Sequence, residues 1–380
     1  MQYTRPPFAK VERSAMQVTF LTVDRRDEWN AFVAQQPSFA LLQAWEWGEF
    51  KEKLGWQAFR VAVERQGKII AGAQMLVKSL PMRVGSVAYI PRGPIGNWLD
   101  EDVTSCLLSE LHRIAKDYRA VFLKIEPPLL YHGTPHQLLK QHHFQPSRYA
   151  NQPQATIIMD LKPKLDDILQ QIPRQTRYSI RYGPKQGVTV RVGGREDLPA
   201  FHQLMQITGR RGQFAPRVLE YYEQEWQTFA ACDQVVLLMA YYQDQLLAVR
   251  TAFRMGHHAA DFHASSSNAY RNLRPNHLLV WEAIKWAKTH DCHTYDLWGI
   301  PSEVGQQVSE GKTLPEEERS DGLWGVYQFK RSFSENVVYY IGAYDYVYSP
   351  LLYTSLTNKF FNADTLDRIA TWMDSLRSGK

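Results

Sequence analysis

The chain has 380 residues, of which 44% are hydrophobic and 22% charged, enough to bury two cores and too apolar for a disordered protein. Its three cysteines, Cys106, Cys232 and Cys292, lie far apart with no Cys-x-x-Cys or Cys/His spacing, which argues against a disulfide framework or a zinc site and fits a reducing cytoplasm. A net charge of +5 is too small to identify a phosphate-bearing partner, and no apolar run reaches the roughly 18 residues of a membrane span or forms a signal peptide, so a soluble protein is expected.

In chain order, residues 1–15 read as a polar lead-in and 18–22 as a strand. Helices are predicted at 27–35 and 43–54, the second with Trp47, Phe50 and Leu54 at three- and four-residue steps and Lys51 on the same helix. Strands at 58–63 and 68–77 flank a Gln66-Gly67 turn, and a third strand at 86–90 runs into Pro91-Arg92-Gly93-Pro94. A helix at 102–117 and a strand at 120–125 follow. Between the halves lie a strand at 153–161 and a basic helical region at 165–183, with Arg174, Arg177 and Arg181 on one side. That row suits phosphate contact, or is simply a solvated charged face.

The second half repeats the order of the first. Strands at 235–241 and 245–253 flank a Gln243-Asp244 turn, a strand at 259–264 precedes an Arg/Pro/Asn-containing loop, and a helix at 277–288 leads to a strand at 294–298. The same elements at nearly constant offset indicate an internal duplication. Residues 301–321, rich in Glu, Gly and Ser, read as a long loop, either a substrate lid or a disordered insertion. The loop leads into Leu-Trp-Gly-Val-Tyr-Gln-Phe-Lys-Arg-Ser-Phe at 323–333, which sets Lys330 between Phe329 and Phe333. A cation held there and partly desolvated can stabilise developing negative charge. After Gly342 an aromatic stretch leads to helices in which Trp372 and Leu376 have packing periodicity.

Each unit is an antiparallel hairpin, a third strand, a helix and a fourth strand, the core order of the GNAT acyltransferase fold. The expected fold class is therefore α+β, two GNAT-like domains in tandem. Such enzymes hold the coenzyme A pyrophosphate on backbone N–H groups of a glycine-rich turn before the long helix. At that place this chain has Arg271-Asn272-Leu273-Arg274-Pro275-Asn276, and Pro275 has no N–H to offer. The first half has Gly93-Pro94-Ile95-Gly96, also broken by proline. A different acyl carrier, and no cofactor, is expected.

Residues 43–51, Ile90-Pro91-Arg92-Gly93-Pro94, 174–181, Asn276-His277-Leu278-Leu279 with Trp281-Glu282, Tyr295-Asp296-Leu297-Trp298-Gly299-Ile300 and Gly325-Val326-Tyr327-Gln328-Phe329-Lys330 together resemble the FemABX family. The similarity spans roughly residues 35–350. These are non-ribosomal peptidyltransferases that use aminoacyl-tRNA to build the interpeptide bridges of peptidoglycan. By this resemblance Lys51 and Arg217 match residues that contact phosphate of the cell-wall precursor, and Tyr221 matches a tyrosine of the precursor site. Phe329 and Lys330 match a Phe-Lys pair near the reaction centre. His263 stands where the family commonly has tyrosine, a departure that puts its substrate contact in doubt. The long helical arm that some members insert for tRNA has no room between Arg217 and Cys232, leaving Arg174, Arg177 and Arg181 as the candidate tRNA surface. The resemblance also implies a discontinuous first domain, 1–152 with 346–380, around a second at 153–345.

The expected chemistry is aminolysis. A side-chain amine of the stem peptide attacks the ester of an aminoacyl-tRNA, and because the ester is already activated no covalent nucleophile is needed. Lys330 and Phe329 are the catalytic candidates, and Lys51, Arg217, Tyr221, His263 and Asp296 the substrate-binding ones. Asp296 and His263 also compete as general base, and the base is left unassigned. The expected partners are aminoacyl-tRNA and a lipid-linked or UDP-linked muropeptide, with no DNA. A cytoplasmic location is expected, compatible with contact at the inner membrane face. The competing readings are an N-acyltransferase using coenzyme A or carrier-protein thioesters, and a non-catalytic protein that binds tRNA or precursor.

Overall fold

The structure is a computed structural model that describes residues 16–81, 84–131, 133–212, 214–315, 319 and 322–360. The helical packing expected at Trp372 and Leu376 lies outside them.

The first half runs β1 (Met16–Phe20), α1 (Arg26–Ala34), α2 (Trp45–Lys53), β2 (Gln57–Arg65), β3 (Lys68–Ser79), β4 (Ser86–Ile90), β5 (Ile95–Gly96), α3 (Glu101–Asp117), β6 (Ala120–Ile125), α4 (Gly133–Gln141) and β7 (Gln145–Pro146). The second runs β8 (Ala155–Asp160), α5 (Leu165–Gln171), α6 (Arg174–Lys185), β9 (Thr189–Gly193), α7 (Leu198–Gly212), α8 (Leu219–Ala230), β10 (Val235–Tyr242), β11 (Gln245–Met255), β12 (His258–Ser266), α9 (Pro275–Thr289), β13 (Thr294–Ile300), α10 (Ser302–Ser309), α11 (Trp324–Arg331) and β14 (Val337–Tyr339). The chain ends in β15 (Tyr344–Val347) and α12 (Pro350–Phe360).

Two sheets result, ordered β1-β2-β3-β4-β6-β15-β7, with β5 alongside β3, and β14-β8-β13-β12-β11-β10-β9. The duplication is visible in both. Each has an antiparallel hairpin closed by a two-residue turn with positive φ at both positions: Gln66 and Gly67 in one, Gln243 and Asp244 in the other. That mirror-image turn has the backbone twist that paired strands require. Each also has a helical crossover between parallel strands, α3 joining β4 to β6 and α9 joining β12 to β13. The Asp100 carboxylate caps α3 by accepting from the Asp102 and Val103 amides, and Val103, Leu107, Leu108, Leu111 and Ile114 form its buried stripe. Pro275 takes the first turn of α9, where a missing N–H costs nothing.

Strand β15 returns to the first sheet, antiparallel to β6, and begins at Tyr344, two residues before the expected boundary. There Lys124 meets Asp345 at 2.9 Å with both side chains essentially buried, and the Tyr353 hydroxyl donates to the same carboxylate at 2.8 Å. The expected long loop at 301–321 is helical in its first part. Helix α10 buries Val304 and brings Gly305 so close to the Tyr339 ring and Ala155 that a β-carbon there would sit 2.4 Å from the ring. Two small apolar side chains in a polar stretch were too weak a periodic signal to mark it.

One apolar cluster crosses between the halves, joining Phe39, Trp47 and Phe50 to Phe229, Phe253 and Met255. The two sheets are thus fastened along an aromatic seam. Among the described residues no helix is long and apolar enough to cross a membrane.

Candidate active site

Parallel pairing of β12 with β13 lasts only from His258 opposite Thr294 to Ala260 opposite Asp296. Beyond that the strands part, and the chemistry-bearing residues collect around the resulting notch. On β13 the pairing with β8 steps from Asp296 opposite Ile158 to Gly299 opposite Thr156, so one extra residue bulges out. Trp298 sits in this bulge at φ +65°, a conformation that a bulky side chain adopts only when its surroundings enforce it. What enforces it is Asp296, whose buried Oδ1 accepts the Trp298 N–H at 2.7 Å and the Thr156 hydroxyl. Burial pushes the Asp296 carboxyl above its ordinary range against those two bonds and the positive charge of Arg92.

The bulge aims the Gly299 carbonyl at helix α11, where the Lys330 Nζ donates to it at 2.6 Å. Lys330 keeps part of its stem exposed while its amine lies inside. Burial is the main cause of a fall in its pKa from 10.5 to about 8, with Asp261 and Asp296 opposing the fall and Arg250 adding to it. Asp261 is itself engaged, accepting from Arg250 on one oxygen and the Tyr295 hydroxyl on the other. The result is an amine still mostly protonated at neutral pH and held at the open end of β13. Phe329 turns its ring to other partners. It stacks edge-on over His277 at 4.9 Å and over Phe333 at 5.4 Å, and burial lowers the His277 imidazole to about 4.

The other candidates gather where α2 packs against α8. Lys51 is 7% exposed, and its ammonium lies 4.9, 5.1 and 5.4 Å from the ring centres of Trp47, Phe50 and Tyr221. Arg217 approaches the Tyr221 ring at 5.6 Å, so two cations lie against one aromatic ring. His263 turns its Nε2 to Glu225 at 2.8 Å, inside a cavity lined by Phe201, Tyr222, Trp226 and Thr251. An aromatic wall links this cluster to the notch. Phe262 lies 6.2 Å from Trp47 and 5.0 Å from Trp298, the residue before Gly299.

The sequence-derived candidates thus fall into three places. Lys330 and Asp296 meet at the bulge, Lys51, Arg217, Tyr221 and His263 at the helix seam, and the three arginines stand apart on α6. Of those, Arg177 is turned inward, donating at 2.7 Å to the carbonyls of Gln170 and Ile172 and so capping α5, while Arg174 and Arg181 are exposed. Sequence reasoning missed Arg92. It reaches from the first half across the seam, 4.7 Å from the Tyr340 ring and 5.4 Å from Trp298, and donates to the Pro153 carbonyl at 3.0 Å. Its place in a Pro-Arg-Gly-Pro turn was the available signal. Glu225 was also missed, although it lies one helical turn beyond Tyr221.

A model of the FemAB family matches residues 25–245 and 237–358. A lipid II:glycine glycyltransferase of Staphylococcus aureus is 25% identical over 86% of this chain and 92% of its own length. One of Staphylococcus epidermidis is 24% identical over 85% and 92%. Among solved structures, FemX superposes with a TM-score of 0.78 at 24% identity, covering 90% of this chain and 99% of its own. A tandem GNAT protein from the clavulanic acid biosynthesis pathway superposes at 0.54 and 9% identity, covering 88% and 98%. The fold is therefore the tandem GNAT arrangement.

Proposed function

The chain belongs to the FemAB family, and from that premise we propose that it transfers an amino acid from aminoacyl-tRNA to a stem-peptide amine of a lipid II-type peptidoglycan precursor. The observation that carries this reading is the Lys330 amine, fixed on the Gly299 carbonyl at the open end of β13. The named activity of the staphylococcal relatives supports the same reaction class.

In the proposed reaction the neutral amine attacks the ester carbonyl carbon and the C–O bond to the ribose breaks. The amine loses a proton and the ribose oxygen gains one. Lys330, charged at neutral pH, stabilises the oxyanion or the leaving ribose oxygen, whichever develops charge beside it. Asp296 then acts as a positioning group, since its bonds from the Thr156 hydroxyl and the Trp298 N–H hold the bulge that aims Gly299. Lys51 and Arg217 bind precursor phosphate over the Tyr221 ring. His263 with Glu225 closes that end of the site. Arg174 and Arg181 are the proposed contacts for tRNA. Among the described residues, strand memberships support two domains, 153–343 and a discontinuous first one formed by 16–152 and 344–360.

Incubation with charged tRNA, acetyl-CoA and precursor pentapeptide, each alone and combined, tests the reading. Label moving from tRNA to precursor supports it. Turnover with acetyl-CoA alone sinks it, and binding of tRNA or precursor without turnover makes the protein a binder.

A further inference from the structure

Away from the notch, two tight turns of the second half meet at the start of the parallel strands. One is Gly256-His257 between β11 and β12, and the other Asp291-Cys292-His293 between α9 and β13. The backbone locks them together, because the His257 carbonyl accepts the His293 N–H at 2.6 Å. The first turn is also pressed against α1, since a β-carbon at Gly256 would lie 2.2 Å from the Ala34 carbonyl oxygen. Asp291 holds φ +56°, and its amide is bonded to the Lys288 carbonyl at 3.2 Å.

On this fixed base the His257 and His293 rings stack with centres 4.2 Å apart and planes 4° from parallel. Parallel stacking puts a nitrogen of each ring on one edge, and the Asp291 carboxylate lies across that edge. Its oxygens are 3.3 Å from the His257 Nδ1, which also donates to the Asp291 backbone carbonyl at 3.0 Å, and 3.8 Å from the His293 Nε2. One donor atom from each of the three residues falls within 4.8 Å of the others. We propose that His257, Asp291 and His293 form a binding site for a borderline first-row divalent cation such as zinc.

The donor set selects the metal class. Two imidazoles with one carboxylate suit zinc, nickel or copper, whereas magnesium and calcium favour all-oxygen sites. Tetrahedral zinc with bonds of about 2.0–2.2 Å needs donors roughly 3.4 Å apart. Closing from the present spacing requires the two rings to turn out of their parallel stack and the His257 Nδ1 to give up its bond to the Asp291 carbonyl for the ion. A fourth position faces solvent and is open to water or to an outside ligand. Ligands drawn from turns 34 residues apart in sequence have no motif spacing, which is why the cysteine and histidine pattern gave no sign of a metal site.

The test is titration of the intact chain with zinc chloride by calorimetry, with cobalt(II) as a spectroscopic probe. The expected result is one saturable site with a visible cobalt spectrum, weakened about tenfold or more in His257→Ala and again in His293→Ala. Zinc is also expected to raise the melting temperature of the parent chain and not that of the double variant. His142→Ala, in the other half of the chain, keeps full binding on this account. Absence of a saturable site, unchanged affinity in the double variant, or equal loss in His142→Ala would each overturn the proposal. Circular dichroism of the apo proteins checks that the exposed substitutions leave the fold intact.

Discussion

Lys330 donates its ammonium hydrogen to the Gly299 carbonyl across 2.6 Å, tying helix α11 to the bulged end of β13. The two residues depend on separate devices: the lysine on burial of its amine, the carbonyl on the Asp296 carboxylate that holds Trp298 in its left-handed conformation.

A pH-dependent cost in stability follows. The folded pKa near 8 lies below the ordinary 10.5, so between those values the unfolded chain binds the extra proton. The buried amine therefore costs stability in full below about pH 8, and the cost fades as pH rises to about 10.5. Lys330→Met is expected to be more stable than the parent by on the order of 1 to 3 kcal/mol at pH 7, with the gap closing toward pH 10.5. Urea unfolding at the two pH values checks this. A variant that is less stable at pH 7 would show that the bond to Gly299 outweighs desolvation.

Lys51 and Arg217 flank one ring, and both are proposed to meet precursor phosphate. Each neutral replacement, Lys51→Met or Arg217→Met, is expected to weaken binding of a precursor fragment roughly tenfold, as for a charge-assisted hydrogen bond, with a steeper loss when both are changed. Calorimetric titration with the fragment reads this directly. Unchanged affinity in the double variant removes both residues from the site.

The returning tail rests on a buried ion pair. Asp345→Ala leaves Lys124 charged and unpaired inside the first sheet and is expected to cost about 3–5 kcal/mol in unfolding free energy. Replacing both partners, Lys124→Met with Asp345→Leu, is expected to restore most of it. Equal loss in the single and double variants would mean that Tyr353 or packing, and not the unpaired charge, sets the cost.

The hairpins, crossover helices and duplication were legible because their periodicities of 2 and 3.6 residues are strong and their turns carry Gly67 and Asp244. Helices α7 and α8 escaped notice, yet α8 supplies Tyr221 and Glu225, and its Tyr222, Glu225 and Phe229 spacing was there to be read. Lys330 stood out by its place between Phe329 and Phe333, Lys51 and Arg217 gained their roles through resemblance, and the structure adds what surrounds them. Arg92 and the bulge at Trp298 depend on the meeting of two halves distant in sequence, and local pattern cannot encode such a meeting. Arg177 differs for a similar reason: helical spacing put it on the charged face, while the free carbonyls ending α5 draw it inward.

The central claim concerns one amine. With charged tRNA and precursor, Lys330→Ala is expected to lower kcat about 10²–10³-fold while precursor affinity and fold are kept. Transfer at the parent rate by a folded Lys330→Ala protein would contradict the account.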